Sequence, residues 1–465
     1  MQADSLGRLW DRIGASESTP PLFYLLTWAW THLVGSDGAA AVRTVSALAI
    51  VASVPVTFAA LRRLVRRNAA LGTAALLAVS PLLGWYALDA RAYGLMVLTA
   101  LLSVWAFGAA LERASPARFA LWALAAGAAI WTHWFAGFLV FAEVVALLWL
   151  RPHAWRGVLL AAATALLALV PLVDLLGDQA GDDRAAFITQ TSVADRIEQV
   201  VRQFGAGIDV PRTWLEAALL ALALGGLAVG SLLVVRRALA IRDDARTLGA
   251  PREGRPAAPA ALPARDGARA LLALAAVSLL VPLVLAVSGI YDRFNVRNVL
   301  YLWPLLAALA TPALLRLRAI PLAALLALGI ATSLWTQTDW RYRNADWSTA
   351  IAQIADRAGA APVVAVTPLG APVAALYLDR SATATPQSVR RAWIVVEPAR
   401  SAGNRDLRPT DPPLVAQLVA AFPTHRETRV HGFRLIELTA PRPVVLDPAQ
   451  LLGAALFPAV RSGAG

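Results

Sequence analysis

The chain has 465 residues, of which 58% are hydrophobic and 15% are charged, and its mean hydropathy is +0.59. A soluble domain is about a quarter charged, so this composition indicates a polytopic membrane protein. The net charge is +12, and all 42 basic residues are arginine. These arginines lie between apolar runs, which favours anionic membrane lipid over nucleic acid as the partner. Without cysteine, disulfides, thiolate nucleophiles and cysteine metal sites are excluded.

Ten apolar runs are predicted to span the membrane. A span needs about 20 apolar residues, and shorter runs are tolerated within a bundle. A further run, 22–34, follows Pro20-Pro21 and is predicted to be an interfacial helix on the outer side. The predicted spans are 41–61, 68–84, 92–111, 119–133, 135–150, 156–177, 213–235, 270–289, 298–315 and 319–337.

The arginines predict the orientation of these spans. Arginine-rich connections such as 62–67 and 151–156 alternate with poorly charged ones, and the positive-inside rule makes the arginine-rich set cytoplasmic. The Pro-, Ala- and Arg-rich linker 238–268 then lies in the cytoplasm. We therefore expect a multi-pass protein of the plasma (inner) membrane. The loops predicted on the outer side are 85–93, 132–134, 178–212 and 291–297.

The composition changes near residue 341. Asp346–Ala358 has the pattern of an amphipathic helix, and β-rich runs such as Val363–Val366 and Trp393–Val396 are bounded by Pro, Gly and Asp. The predicted class is an all-α polytopic membrane protein with a small C-terminal α/β extracytoplasmic domain. The predicted domains are 1–340 (transmembrane), 341–440 (soluble, outer side) and 441–465 (flexible tail).

Four arginines are predicted beside the outer ends of spans, where the positive-inside rule disfavours them. The planar fork of arginine suits phosphate oxygens, so several at one interface could hold a lipid phosphate. For any single arginine, snorkelling or pairing with lipid headgroups is the simpler explanation. These residues are Arg43, Arg91, Arg293 and Arg297.

Asp89 is the best candidate for a general base. It lies at the predicted outer interface between two apolar runs, and Arg91 could keep it ionised. The alternative is a purely structural Asp89–Arg91 pair. His133 ends a predicted span and suits an acid–base or metal role, although a lone histidine at a helix end needs no function.

Two other acids have simpler explanations. Asp292 lies beside Arg293, which could neutralise it. Glu143 lies inside a predicted span, where a carboxylate is costly, and it could pair with another residue within the bundle. No mechanism follows from Glu143. The sequence contains no P-loop, HExxH, GxSxG or EF-hand motif, so neither ATP-driven transport nor zincin proteolysis is supported.

Several short motifs follow one another in the first third of the chain. They are Thr19-Pro20-Pro21-Leu22-Phe23-Tyr24, Val42-Arg43-Thr44-Val45-Ser46-Ala47-Leu48, Ala87-Leu88-Asp89-Ala90-Arg91-Ala92-Tyr93 and Thr132-His133-Trp134-Phe135. Their order resembles that of the family-39 glycosyltransferases, the protein mannosyltransferase-like enzymes of the GT-C fold, which are related to the lipid A aminoarabinose transferase. Arg297–Leu300 with Pro304, and then Asp346-Trp347, resemble later family segments, so the resemblance covers nearly the whole chain.

The resemblance implies transfer of a mannose-like sugar from a polyprenyl-phosphate donor to a hydroxyl of a glycan, lipid or protein on the outer face. Such enzymes invert the anomeric centre. An aspartate deprotonates the acceptor, and cationic groups stabilise the departing lipid phosphate. Some relatives carry a divalent metal near the acidic loops, but no cofactor is certain here. The predicted site comprises Asp89 as catalytic residue and Arg43, Arg91, Tyr93, His133, Arg293 and Arg297 as substrate-binding residues.

This sequence departs from the family pattern in its first outer loop. The family carries an Asp-Glu pair well upstream of the Pro-Pro, and neither Asp4 nor Asp11 stands at its place. If that aspartate is the principal base, we expect an N-terminally truncated, inactive chain in which Asp89 has a supporting role. Thr19 also replaces the usual histidine, and Asp89 replaces a glutamate.

Two other functions compete with sugar transfer. A transporter or flippase for a polyprenyl-linked or anionic substrate could line its path with the same arginines. Charges and broken helices near the membrane midplane would favour transport, whereas charges at the outer rim beside a carboxylate-bearing loop favour catalysis. The missing first loop favours the third hypothesis, a non-catalytic membrane scaffold.

Overall fold

The computed structural model describes residues 5–17, 19–180, 186–210, 212–240, 263–354, 361–367, 371–401, 406–451 and 454–459. These residues form two compact units. The first contains the described residues up to Ile208 and from Arg212 to Ser333, and the second contains those from Leu334 onward together with Asp209 and Val210. Most of the predicted linker, residues 241–262, lies outside the described residues.

The first unit is a bundle of helices whose apolar sequences follow the predicted runs. Its last helix, α16, extends five residues past Ser333 into the second unit. The helices are α1 Leu6–Ser16, α2 Leu22–Val34, α3 Ala39–Leu61, α4 Arg67–Val79, α5 Pro81–Ala87, α6 Tyr93–Glu112, α7 Pro116–Thr132, α8 Ala136–Leu150, α9 Trp155–Leu167, α10 Val173–Ala180, α11 Ala186–Thr189, α12 Val193–Ala206, α13 Thr213–Leu239, α14 Ala264–Val287, α15 Trp303–Leu314 and α16 Ile320–Thr338.

Among the described residues, six helical segments are long and apolar enough to cross a bilayer, or seven if the bent pair α4–α5 counts as one span. The predicted class of a mostly helical membrane protein with a small C-terminal α/β unit is confirmed, but the predicted number of ten spans is wrong. Helices α7, α8 and α15 have only 17, 15 and 12 residues. At 1.5 Å per residue each is shorter than the hydrocarbon core of about 30 Å. The six segments are Ala39–Leu61, Tyr93–Glu112, Pro152–Leu175, Thr213–Leu239, Ala264–Val287 and Leu317–Thr338.

Helix α6 is the most enclosed of these segments, since 83% of its most apolar stretch of 18 residues is buried. It packs against α3, and Gly94 in its first turn makes the close approach possible. A Cβ at Gly94 would lie 2.8 Å from the carbonyl oxygen of Ser46 in α3. The contact therefore requires glycine and fixes the start of α6 against the first half of α3.

The second unit contains a five-stranded sheet in the order β5-β6-β2-β1-β7. Strands β1 and β2 are parallel, and the other neighbours in this sheet are antiparallel. Helix α19 contributes to the hydrophobic core on one face of the sheet, and α17 and α18 contribute to the core on the other. The elements are α17 Trp347–Ala352, β1 Val363–Val366, α18 Ala371–Leu378, β2 Gln387–Val396, β3 Ala399–Arg400, β4 Leu407–Arg408, α19 Pro413–Ala421, β5 Thr424–Val430, β6 Phe433–Leu446 and β7 Ala454–Phe457.

The prediction of a flexible tail from residue 441 is wrong for the described part of that segment. Strand β6 continues to Leu446, and β7 pairs with β1 so that Phe457 lies opposite Val363. Both of these side chains are fully buried. The high content of Pro, Ala and Gly concealed a short edge strand that completes the sheet.

Candidate functional site

The loop that carries Asp89 joins α5 to α6, and local sequence holds it in place. Ser80 caps α5 by accepting a hydrogen bond from the Leu83 N–H, and Pro81 occupies the first helical position. Within the loop, the Arg91 N–H donates to the Asp89 carbonyl at 2.8 Å. The hydroxyl of Ser46 donates to the Arg91 carbonyl at 3.0 Å, which fixes the loop to α3.

Asp89 lies among three of the predicted arginines. Burial raises the pKa of its carboxyl group, while the charges of Arg91, Arg297 and Arg43 lower it in part. No hydrogen bond or ion pair to this carboxylate is present among the described residues. The structure therefore brings Asp89, Arg43, Arg91 and Arg297 into one electrostatic cluster, although they come from three separate segments of the chain.

Arg91 does not form the structural pair with Asp89 that we considered as an alternative. Its Nη1 lies 3.1 Å from Oε2 of Glu17, and the Tyr24 hydroxyl donates to the same oxygen at 2.7 Å. The hydroxyl oxygen of Thr19 lies 2.9 Å from that of Tyr24 and completes this hydrogen-bond network. Glu17 was not predicted. Its position two residues before the Thr19-Pro20-Pro21 motif was the available signal.

His133 lies in a chain of aromatic rings that also contains Tyr93. The ring centroids are 5.8 Å apart for Tyr93 and His133, 6.0 Å for His133 and Phe135, and 5.8 Å for Phe135 and Tyr291. The Phe135 N–H donates to His133 Nδ1 at 3.2 Å, which assigns the ring hydrogen to Nε2. Burial and the charge of Arg297 lower the pKa of His133 to about 3. The ring is therefore neutral near pH 7.

The segment with Arg293 and Arg297 is held by an ion pair whose arginine is buried. Asp292 does not neutralise Arg293 as we had considered; its Oδ1 lies 2.5 Å from Nη2 of Arg196 in α12. Arg196 is 1% exposed and also donates to the Phe294 carbonyl at 2.9 Å. This arginine was missed because nothing in the sequence distinguishes it from the other arginines of the loop 178–212. Arg293 is not among the charges that shift the pKa of Asp89.

An apolar cavity of about 270 Å³ lies beside this segment. Phe294, whose carbonyl is fixed by Arg196, lines it together with Val200 and Phe204 of α12 and Trp303 of α15. The Trp303 indole N–H donates to the Phe204 carbonyl at 3.0 Å. The cavity therefore places apolar surface close in the chain to Arg293 and Arg297.

The site residues do not fit a divalent metal. Among the described residues, no three His, Asp or Glu side chains come close enough to bind one. The Asp89 carboxylate is surrounded by arginine charges, which disfavour a cation, and the His133 Nδ1 already accepts a hydrogen bond. No step is derived through a metal.

Residues 18–174 match the family described as dolichyl-phosphate-mannose-protein mannosyltransferase. Two crystal structures of the Archaeoglobus fulgidus oligosaccharyltransferase are similar to the chain, one tethered to an acceptor peptide and one in complex with zinc and sulfate. Their identities are 12% and 13%, with TM-scores of 0.38 and 0.39. Each covers 78% of this chain, which spans only 51% and 48% of theirs. No curated protein matches the chain. The family match includes Arg43, Asp89, Arg91 and His133.

Proposed function

We propose that this chain, for which the family match supports a membrane glycosyltransferase of the GT-C type, transfers a sugar from a polyprenyl-phosphate donor to an acceptor hydroxyl. We further propose that the sugar is mannose-like and that the reaction inverts the anomeric centre. Asp89 is the proposed base, and Arg43, Arg91 and Arg297 are proposed to bind the phosphate. The reaction takes place on the outer face of the plasma membrane.

The main support for this proposal is that the charges of three arginines act on Asp89. With the carboxylate of Glu17, which contacts Arg91, the five side chains have a net charge of 3 − 2 = +1. The phosphodiester of a lipid-linked sugar has one negative charge, and the lipid phosphate that leaves develops a second. A positive site stabilises the leaving group more than the bound donor, and such differential stabilisation accelerates the chemical step.

The environment of Asp89 suits a base. Because burial raises the pKa of the carboxyl group, the carboxylate accepts a proton more readily than an exposed aspartate would. The acceptor oxygen bonds to the anomeric carbon while its proton passes to Asp89. The bond from that carbon to the phosphate oxygen breaks, and its electron pair leaves on the lipid phosphate. A single displacement of this kind inverts the anomeric configuration.

The apolar cavity beside Phe294 supports a lipid-linked donor. Its lining by Val200, Phe204 and Trp303 suits an isoprenoid segment, because a hydrocarbon chain matches an apolar cavity and leaves no polar group there without a partner. Arg293 and Arg297 lie one and three residues from Phe294 in the chain. We propose that the lipid chain enters this cavity while its phosphate lies at the arginine cluster.

A transporter for the same anionic lipid is the second candidate, and Glu143 is the observation that favours it. This carboxyl group is fully buried in α8, and its Oε1 has no partner among the described residues. Its Oε2, however, accepts hydrogen bonds from Ser103 at 2.6 Å and from Trp122 at 2.8 Å. The arginine cluster lies at the ends of α3 and α6 rather than midway along them, which favours catalysis.

Product analysis distinguishes these two functions. The full chain, purified into lipid nanodiscs, is supplied with polyprenyl-phosphate-mannose and a panel of glycan, lipid and peptide acceptors. We expect free polyprenyl phosphate and a glycosylated acceptor in equal amounts. NMR of the product should show an anomeric configuration opposite to that of the donor. In proteoliposomes, movement of the intact donor across the membrane without cleavage would instead identify a transporter.

A further inference from the structure

A second polar pocket lies at the opposite end of α3 and α6 from the Asp89 loop. It has a volume of about 520 Å³ and is lined by residues that follow α3, end α6 and α13, and begin α14. Since α6 has 20 residues, the pocket is about 30 Å from the Asp89 loop along that helix. It is therefore separate from the proposed catalytic site.

The pocket is strongly cationic. Arg62, Arg63, Arg66 and Arg237 line it with a single acid, Glu112, so its lining charge is 4 − 1 = +3. Glu112 is shared, because it pairs with Arg63 and lies 3.6 Å from Arg118 outside the pocket. Within the described part of the chain, no carboxylate forms an ion pair with Arg62 or Arg66.

The environment of Arg63 indicates that the pocket binds a ligand and is not merely positively charged. Its side chain is 19% exposed, and its guanidinium lies 5.6 Å from the Trp105 ring centroid. A Cβ at Gly108 would lie 2.9 Å from Arg63 Cδ, so a glycine is needed to seat this side chain. Its Nε–H is buried and has no partner among the described residues. A buried donor without an acceptor is rare and is often satisfied by a bound group.

The remaining wall of the pocket is apolar. Leu233 and Val234 of α13, with Pro312 and Leu315 at the end of α15, lie beside the arginines. A ligand that fills this pocket must combine a phosphate-like anion with hydrocarbon. Basic pockets between membrane helices at the positively charged end of a bundle are suited to anionic lipid headgroups. A soluble phosphate would leave the apolar wall exposed to water.

We propose that this pocket binds the headgroup phosphate of an anionic phospholipid, with the first part of an acyl chain against Leu233, Val234 and Leu315. Arg62 and Arg66 contact the phosphate oxygens, and the Arg63 Nε–H donates to one of them. The bound lipid joins the ends of α3, α6, α13 and α15, so it stabilises the bundle at the end opposite the catalytic site.

Native mass spectrometry of the full chain in neutral detergent tests this proposal. Phosphatidylglycerol, phosphatidylcholine or inorganic phosphate is titrated into the wild type, an Arg62→Gln/Arg66→Gln variant and a matched Arg113→Gln/Arg316→Gln control. The control arginines are exposed, do not line the pocket and change the charge equally. We expect tight phosphatidylglycerol binding by the wild type and control, and at least about tenfold weaker binding by the pocket variant.

Equal phosphatidylglycerol binding by the pocket variant and the control would overturn the proposal. Equal affinity for phosphatidylcholine would do the same, because it would remove the role of net headgroup charge. Displacement of the lipid by millimolar inorganic phosphate would assign the pocket to a soluble phosphate instead. If the double variant fails to elute as a folded species, Arg66→Gln against Arg113→Gln gives the same comparison with a smaller fold-change.

Discussion

Arg91 donates a hydrogen bond from Nη1 to Oε2 of Glu17 at 3.1 Å, and the Tyr24 hydroxyl donates to the same oxygen. This contact links the segment before α2 to the loop that carries Asp89. Arg91 thereby has a fixed acidic partner other than Asp89, whose carboxylate remains without an ion pair among the described residues. We infer that Glu17 is a positioning residue for Arg91.

Replacing Glu17 with Gln is expected to reduce transfer without unfolding the protein. The pair is partly exposed, with 54% of the Arg91 side chain and 24% of that of Glu17 accessible, so its effect on stability is small. We expect kcat/KM for the donor to fall about tenfold, mainly through KM, because Arg91 loses its orientation. Glu198→Gln, at an exposed glutamate of α12, is the control. Equal kinetics in the two variants would contradict this role.

The pH dependence of transfer is expected to respond to Arg297. The charge of Arg297 lowers the pKa of Asp89, which burial raises. Arg297→Gln therefore raises that pKa further, and because the base must be ionised, the acidic limb of kcat/KM against pH moves to higher pH. Arg293→Gln removes a charge from the same segment, but this charge does not act on Asp89. The acidic limb of its pH profile should therefore stay at the wild-type position. Identical limbs in both variants would contradict the electrostatic cluster.

The close packing at Gly94 predicts a specific loss of stability. In Gly94→Ala the new Cβ would meet the Ser46 carbonyl oxygen at 2.8 Å, so α3 and α6 must separate at a cost of about 1–3 kcal/mol. Transfer also falls, since the Asp89 loop is fixed to Ser46. At Gly137, the second residue of α8, a Cβ would have no other atom within 4 Å. Gly137→Ala should therefore leave the thermal midpoint unchanged or raise it, and equal losses in both variants would refute the packing argument.

His133 is expected to make stability depend on pH. Its pKa is lowered to about 3 in the folded protein, against about 6.5 when unfolded. The unfolded state therefore binds the proton first, and stability is lost as the pH falls below about 6.5. Between pH 7 and 5 the loss is about 2 kcal/mol. Thermal midpoints of His133→Asn should show a smaller pH dependence than those of the wild type. His153→Asn, at an exposed histidine, should behave like the wild type.

Hydropathy and arginine spacing were sufficient to predict the membrane class and to single out the residues near Asp89. Hydropathy overestimated the number of spans because it measures apolar content and not helix length. The run 298–315 is one example, since its α-helix has only 12 residues. The run 68–84 is a span only if α4 and α5, which are bent by 56° at Pro81, are counted together.

Ionic partners were less predictable, because charge and proximity in sequence do not decide between several candidates. Asp292 has Arg293 as its neighbour but pairs with Arg196, 96 residues away. Arg91 has Asp89 two residues away but pairs with Glu17. In both cases the partner comes from a segment that is distant in sequence and close in the fold. The edge strand β7 was hidden for a related reason, since its partner β1 lies far away in sequence.

The proposed sugar transfer depends on Asp89 as the base, and a single-turnover assay tests this role directly. Polyprenyl-phosphate-mannose is mixed with excess wild type, Asp89→Asn or Asp37→Asn protein in nanodiscs, and release of polyprenyl phosphate is followed with acceptor present. Asp37 is an exposed aspartate in the loop before α3. We predict that Asp89→Asn slows release by about 10²–10⁴-fold and that Asp37→Asn matches the wild type. Release at the wild-type rate by Asp89→Asn would contradict the role of Asp89 as the base.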